Sequence, residues 1–322
     1  MFYSTESALE SNQPLIDEFY ENTLIKSYLK TAHGALFYAY AKPKNAKMAL
    51  VISSGRVEGA DKYKELLWEL YNNNYAIFIV DHQGQGRSYR HLKNKHKGYV
   101  EHFKNYSADL NQFSQDVVDT HWRGNKVLVA HSMGGAIALN YLAEYQHSYQ
   151  GVFLSAPMLN IFTKKVPRFS TTLIVSLAKM LGLQYSYALG QKNYTPPSFD
   201  LNVLTSSQVR YKQFRRTYHT TPSLQLGGVT YGWLYAVIKF LPLVNQLKVT
   251  IPMFIAKAEN DEVVNNSALD KLANSHANAS IESFKDAKHE LFFERDEIRK
   301  PALKSLYLFC ESIEQQTAGR GE

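Results

Sequence analysis

A serine boxed by small residues lies between an apolar β-type run and a helix-forming run: Val127-Leu128-Val129-Ala130-His131-Ser132-Met133-Gly134-Gly135, then Ala136 to Glu144. This layout predicts a nucleophile elbow, a strand-to-helix turn so tight that the neighbours of the serine must lack bulk. Gly134 and Gly135 permit strand and helix to approach closely. Ala130 stands where a glycine is usual and adds one methyl. A serine hydroxyl is a poor nucleophile until a base takes its proton. An ordinary serine in a strand-to-helix loop would leave the same local pattern, so the base and its partner decide the reading.

In the elbow arrangement the partners follow in the chain order serine, acid, histidine. Downstream, Ile251-Pro-Met-Phe-Ile-Ala-Lys-Ala-Glu-Asn-Asp261 reads as an apolar strand running into an acidic loop. Ser280-Ile-Glu-Ser-Phe284 is a short alternating strand, and Asp286-Ala-Lys-His289 follows it. Both candidates thus lie just past strand ends, where sites form in open α/β sheets. Histidine titrates near neutral pH and suits the base. The acid would hold the imidazole in one tautomer and stabilise the imidazolium. His289 is the base expected from this order. Asp261 is the first choice for the acid, with Glu259 the alternative in the same loop and Glu262 a surface charge. His91, His96 and His102 fall in a basic, polar segment and read as solvated loop residues. His131 reads as a packing neighbour of the nucleophile, and His219 and His276 carry no motif.

An acyl-transfer site also needs backbone N–H donors for the oxyanion. One would come from Met133, the residue after the nucleophile. The other comes from the loop after an early strand. Here that strand is Ala49-Leu-Val-Ile-Ser53, and Ser54-Gly55-Arg56 turns away from it, which assigns the second donor to Arg56.

The elements that must position these groups alternate. Strands are expected near 24–30, 35–41, 48–53, 76–80, 126–130, 151–155, 252–257 and 280–284, and helices near 60–72, 105–120, 133–146 and 299–314. Such alternation implies an α/β fold with a mostly parallel sheet covered by helices on both faces. Between Pro157 and Leu247 the alternation stops, and helical segments and proline-rich loops take over. The expected organisation is a core from residues 1–157 and 248–322 with a helical cap inserted over 158–247. That insertion holds ten Lys and Arg and a single acid, Asp200, whereas the whole chain is +7, so the rest of the chain is net negative. The cap charge fits contact with anionic lipid or phosphate, or a solvated helical surface.

The chain of 322 residues is 45% hydrophobic, enough for a sizeable core. Cys310 is its one cysteine, which excludes an intramolecular disulfide. Met1 to Tyr20 is polar and acidic and does not read as a secretory signal. Apolar runs at Thr172–Leu183 and Trp233–Val244 are interrupted by Lys179 and Lys239 and fall short of a bilayer span. There is no metal-ligand cluster in the sequence, no P-loop, and Gly84-Gln-Gly86 lacks the third glycine of a dinucleotide loop. No cofactor or metal is expected, and no nucleic-acid motif accompanies the basic cap.

An ordered set of segments carries a family resemblance: Ser53-Ser-Gly-Arg-Val-Glu-Gly59, Asp81-His-Gln-Gly-Gln-Gly-Arg-Ser88, Ala130-His-Ser-Met-Gly-Gly135 and Ala287-Lys-His-Glu290. It resembles the bacterial lysophospholipases in the monoacylglycerol-lipase-like branch of the α/β-hydrolases. Asn202-Val-Leu-Thr205 and Gly227-Gly-Val-Thr-Tyr-Gly-Trp233 in the cap look like that group too. The likeness covers nearly the whole chain, from about residue 20 to 315. It implies an α/β-hydrolase fold with Ser132 as nucleophile, His289 as base, Asp261 as acid and Gly55-Arg56 as oxyanion loop. Monoacylglycerol lipases usually carry His-Gly at that loop, whereas this chain has Ser54-Gly55, as the lysophospholipase-like group tends to. Some relatives carry glutamate at the acid position. The Asp81 segment is expected to be structural.

These readings converge on a serine esterase acting on a single-chain lipid, a lysophospholipid first and a monoacylglycerol or simpler carboxylic ester second. Leu173, Ile174, Leu177 and Leu181 are candidates for the acyl-chain site, although their helical spacing also fits ordinary cap packing. The expected location is cytoplasmic, or peripheral on the inner face of the cytoplasmic membrane through the basic cap. A different class, a binding protein on the same fold without catalysis, would have lost one of the three residues.

Overall fold

A computed structural model of the chain describes residues 1–160, 168–244 and 246–319. Eight strands form one sheet: β1 (Ile25–Lys30), β2 (Ala35–Ala41), β3 (Met48–Ser53), β4 (Tyr75–Val80), β5 (Lys126–His131), β6 (Gly151–Ser155), β7 (Met253–Ala258) and β8 (Ala279–Phe284). Their spatial order is β1-β2-β4-β3-β5-β6-β7-β8. β2 pairs antiparallel with β1 and β4, and every pairing from β4 to β8 is parallel. Each of the eight expected strands is present within a residue or two of its expected bounds.

The central strands are apolar on both faces, as a doubly covered parallel sheet requires. Period-2 alternation divides β3 between two cores. Ala49 and Val51 face one side, and Met48, Leu50 and Ile52 face the other. β5 does the same, with Leu128 and Ala130 opposite Val127 and Val129. The first core is closed by α3 (Lys104–Phe113), α5 (Met133–Glu144), α8 (Tyr231–Val244) and α9 (Asn266–Ser275), through residues such as Leu110, Ile137, Val237 and Leu269. The second is closed by α2 (Lys64–Asn72) and α10 (Asp296–Ala318), through Leu66 and Leu306 among others. The edge strands are less apolar: β8 leaves Ser280, Ile281, Glu282 and Ser283 exposed.

Two helices were not anticipated. α1 (Glu6–Glu18) buries only Leu9 and Ile16 on an otherwise polar surface, so its apolar stripe is too thin to stand out. α9 is similarly short. The helix expected over 105–120 is not uniform: after α3 the chain makes a wide π-type turn over Ser114–Val118 and ends in one turn, α4 (Asp119–His121). Between β6 and β7 the chain leaves the sheet and forms α6 (Arg168–Met180), α7 (Gln208–Thr220) and α8, with no strand among the described residues. α8 is the anchor of this segment, and Phe240 stacks on Phe103 with ring centroids 4.2 Å apart. No helix among the described residues is long and apolar enough to cross a membrane.

Candidate active site

β5 delivers its terminal residue directly into α5, and Ser132 occupies the junction with φ 52° and ψ −119°. A non-glycine residue pays for that conformation with backbone strain, which concentrates at functional sites. The two glycines that follow are required by contact. A Cβ on Gly134 would lie 2.1 Å from the Ser53 carbonyl oxygen, and one on Gly135 would lie 2.5 Å from Pro157 Cβ. α5 can therefore start against β3 and β6 only where side chains are absent.

The two loops beyond β7 and β8 bring the other candidates to this serine. His289 Nε2 lies 2.8 Å from Ser132 Oγ, and His289 Nδ1 lies 2.7 Å from Asp261 Oδ2. The second Asp261 oxygen accepts the N–H groups of Val263 (2.7 Å) and Val264 (2.9 Å). Burial works to raise the Asp261 carboxyl, but the His289 contact and the two N–H bonds outweigh it and hold the group below its ordinary value. Glu259 does not reach the imidazole. It accepts the Asp286 N–H at 3.1 Å and is exposed.

Arg56 lines the cavity beside Ser132, and Met133 opens α5 directly after the serine. Among the described residues neither backbone N–H has an acceptor within the chain. The Arg56 loop is pinned on all sides. Glu58 Oε2 accepts the Gly55 N–H at 2.6 Å, and Gln85 Nε2 donates to the Gly55 carbonyl at 2.7 Å. Tyr218 of α7 donates its hydroxyl to the Val57 carbonyl at 2.7 Å. Gln85 explains the Asp81 segment. Asp81 accepts the N–H groups of Ala60 and Arg87, both at 2.7 Å, which folds that loop against the Arg56 loop.

One part of the site carried no expected role. Lys62 Nζ bridges Glu58 Oε1 (2.6 Å) and Glu290 Oε1 (2.5 Å), and all three side chains are buried. Glu290 directly follows His289, so this ladder joins the Arg56 loop to the histidine loop. Glu58 and Lys62 are four residues apart, a spacing visible in the sequence, but nothing local pairs them with Glu290. Glu58, His131 and Glu290 place ligand atoms within 4.8 Å of one another, a spacing a metal could use. Lys62 already supplies the cation between the two carboxylates. His131 packs against His289 with ring centroids 4.8 Å apart and planes tilted by 52°, and burial lowers it to about 4, so it stays neutral beside His289.

Several expectations are corrected by tertiary contacts. Leu173, Ile174, Leu177 and Leu181 are exposed on α6 and its end and do not line the cavity over Ser132. That cavity measures about 590 Å³, and its apolar wall comes from Met158, Leu201, Phe214, Trp233, Val263 and Val264. His91 and His96 are half-buried rather than solvated. His91 Nε2 lies 3.0 Å from Gln83 Oε1, and His96 Nδ1 accepts the Tyr194 N–H. Arg210, counted with the cap's surface charge, is 1% exposed and pairs with Glu65 and Asp296, each at 3.0 Å. Lys164 and Lys165, and the side chain of Arg168, lie outside the described residues.

Residues 44–296 match the family model described as serine aminopeptidase, S33. The chain belongs to this family. A Haemophilus influenzae protein described as "probable lysophospholipase L2" is 33% identical over 312 residues, covering 95% of this chain and 97% of the relative. The Escherichia coli lysophospholipase L2 is 34% identical over 271 residues, covering 81% of this chain and 79% of its own. The solved structure of a soluble variant of monoglyceride lipase from Saccharomyces cerevisiae shares the fold, with a TM-score of 0.69 at 17% identity over 92% of this chain and 97% of that one. The family is one of α/β-hydrolases, and the elbow, the parallel sheet and the helices on both faces conform to it.

Proposed function

We propose that this chain is a serine esterase that hydrolyses the acyl ester of a single-chain lipid, a lysophospholipid first. The observation that carries the reading is the continuous hydrogen-bonded run from Ser132 through His289 to Asp261 at the wall of the cavity. In this mechanism Ser132 Oγ attacks the ester carbonyl carbon while His289 Nε2 takes its proton. The Arg56 and Met133 N–H groups bind the oxyanion of the tetrahedral intermediate. The intermediate collapses, the C–O bond to the alcohol breaks, and the alcohol leaves with the proton from His289. Water then repeats the sequence on the acyl-enzyme, giving up a proton to His289 and releasing the fatty acid. Asp261 accepts the Nδ1–H throughout and favours the imidazolium.

The bacterial relatives at 33–34% identity favour a lysophospholipid over a monoacylglycerol. The test is turnover of a panel of lysophospholipids, monoacylglycerols and short p-nitrophenyl esters by the wild type and by Ser132→Ala. Loss of every activity in Ser132→Ala supports the reading, and activity that survives the substitution overturns it.

Residues 158–247 act, on this reading, as a cap that also rests peripherally on a membrane surface. Support comes from α6, where Leu173 (58% exposed), Leu177 (48%) and Met180 (76%) form an outward apolar face, and from exposed Leu201 at the cavity wall. An apolar patch of this kind marks an interaction surface. Its charge component is smaller than the sequence count suggests, because Arg210 is buried in ion pairs and Arg215 lines the cavity.

A further inference from the structure

The cavity over Ser132 is lined by two half-buried arginines whose surroundings differ from those of the fully buried Arg210 and Arg299. Arg210 takes Glu65 and Asp296, and Arg299 takes Glu69 at 2.7 Å. Arg56 and Arg215 line the cavity and have no carboxylate oxygen within 4.0 Å among the described residues. Arg56 Nη2 donates to the Gly227 carbonyl at 2.5 Å, and its guanidinium lies 5.4 Å from the Trp233 ring centre. Arg215 Nη1 donates to the Tyr194 hydroxyl at 3.0 Å, and its guanidinium lies 4.8 Å from both Tyr211 and Phe214. The Nε atom of each is buried with no acceptor.

A partly desolvated cation without a counter-charge is unfavourable, and a group in that position favours an anion when one arrives. Burial lowers Arg56 to about 10, which marks this missing counter-charge. Lys62, the deeply buried cation of the cavity, is satisfied by Glu58 and Glu290. With its charge matched by carboxylates, Lys62 has little attraction left for an anion. The anion-seeking side is therefore the one between Arg56 and the cap.

We propose that the Arg215 and Arg56 guanidiniums form a subsite for the phosphodiester of a lysophospholipid. The inference rests on the esterase reading and deepens it. Arg56 would present its backbone N–H to the ester oxyanion and its side chain to the phosphate. The glycerol separating ester and phosphate spans a number of bonds comparable to that side chain. Guanidinium forks suit phosphate oxygens in pairs, and the aromatic faces beside each arginine keep the fork oriented. An uncharged monoacylglycerol would leave both groups as they are.

The experiment uses the purified full chain and two substrates with one acyl chain in common, a lysophosphatidylcholine and a monoacylglycerol, both below their aggregation concentrations. Arg215→Gln is expected to lower the kcat/KM ratio of lysophospholipid to monoacylglycerol about tenfold or more, mainly through KM. Arg215→Lys is expected to recover part of it, since charge remains but the fork is lost. Lys212→Gln, on the exposed side of the same helix, is expected to keep the wild-type ratio. Equal losses on both substrates would assign Arg215 a structural role and overturn the proposal. A second arm uses only the wild type and reads inhibition of p-nitrophenyl butyrate hydrolysis. Competitive inhibition by glycerophosphocholine exceeding that by inorganic phosphate supports a headgroup site. Inhibition by inorganic phosphate alone, or by neither, overturns it. Failure to turn over either lipid, with p-nitrophenyl butyrate still hydrolysed, would instead count against the lipid-esterase reading, and the inhibition arm remains decisive for the subsite.

Discussion

The cavity has two walls held by different physics. The sheet wall carries Ser132, Asp261 and His289 at the ends of β5, β7 and β8, where the ladder hydrogen bonds of parallel strands set the spacing. The cap wall is held by side chains. Arg210 of α7 reaches to Glu65 of α2 and Asp296 of α10, and Tyr211, Phe214 and Tyr218 of the same helix pack with Leu224. A backbone ladder tolerates most side-chain changes on its exposed loops. A buried ion pair fails when either partner is removed. The comparison teaches that the two walls fail by different routes, and that they are joined where Tyr218 of α7 and the Gly227 carbonyl hold the Arg56 loop.

The largest effect belongs to the sheet wall. Ser132→Ala and His289→Ala should each lower kcat by about 10⁴-fold or more, with the double variant little worse because the groups act as a unit. Asp261→Asn should be severe and Glu259→Gln mild, as steady-state kinetics on a soluble ester would show. Urea unfolding should find Ser132→Ala as stable as the wild type or more so, since the strained residue's role is chemical. A destabilised Ser132→Ala would mean that the hydroxyl also helps to hold the fold.

The cap wall should give the opposite pattern. Arg210→Ala leaves buried Glu65 with only Arg299, 3.8 Å away, and half-buried Asp296 without its ion pair, and should cost about 3 kcal/mol. A loss under about 1 kcal/mol in urea unfolding would show that aromatic packing, not the ion pairs, holds α7. A smaller effect is expected at the outer face of the cap. Leu173→Ser with Leu177→Ser should change stability by less than about 0.5 kcal/mol, because both are already half-exposed or more. The pair should weaken co-sedimentation with lipid vesicles about tenfold or more, in line with newly burying the exposed half of two leucine side chains. Unchanged vesicle binding would remove α6 as the membrane-facing element.

A last effect tests where pH sensitivity resides. Burial raises the Asp109 carboxyl from 3.8 to about 7, and Gln83 Nε2 donates to it at 2.5 Å. The folded protein thus holds this proton more tightly than the unfolded chain does, and stability falls as pH rises between about 4 and 7. Asp109→Asn keeps an acceptor for Gln83 and removes the charge. It should flatten the decline by about 1–2 kcal/mol between pH 5 and pH 8 in urea unfolding. A variant with the wild-type slope would place the sensitivity elsewhere, for example at Asp81, whose carboxyl burial also raises to about 7.

The sequence by itself determined the sheet wall. Strand periodicity, the small residues around Ser132 and the serine-acid-histidine order are local properties, and the eight strands and the Ser132–His289–Asp261 contact follow from them. Only the tertiary structure shows which of Asp261 and Glu259, two residues apart in one loop, contacts the imidazole, because that depends on where a different loop brings His289. The cap was read least well for the same reason. Counting charge treats Arg210 and Lys212 alike, yet one is buried between two carboxylates and the other is exposed. The leucines of α6 show helical spacing whether they face a cavity, a core or solvent, since periodicity reports a face and not its partner. The Glu58–Lys62–Glu290 ladder and the two unpaired arginines joined the site only when distant segments met, and burial and pairing are properties of that meeting.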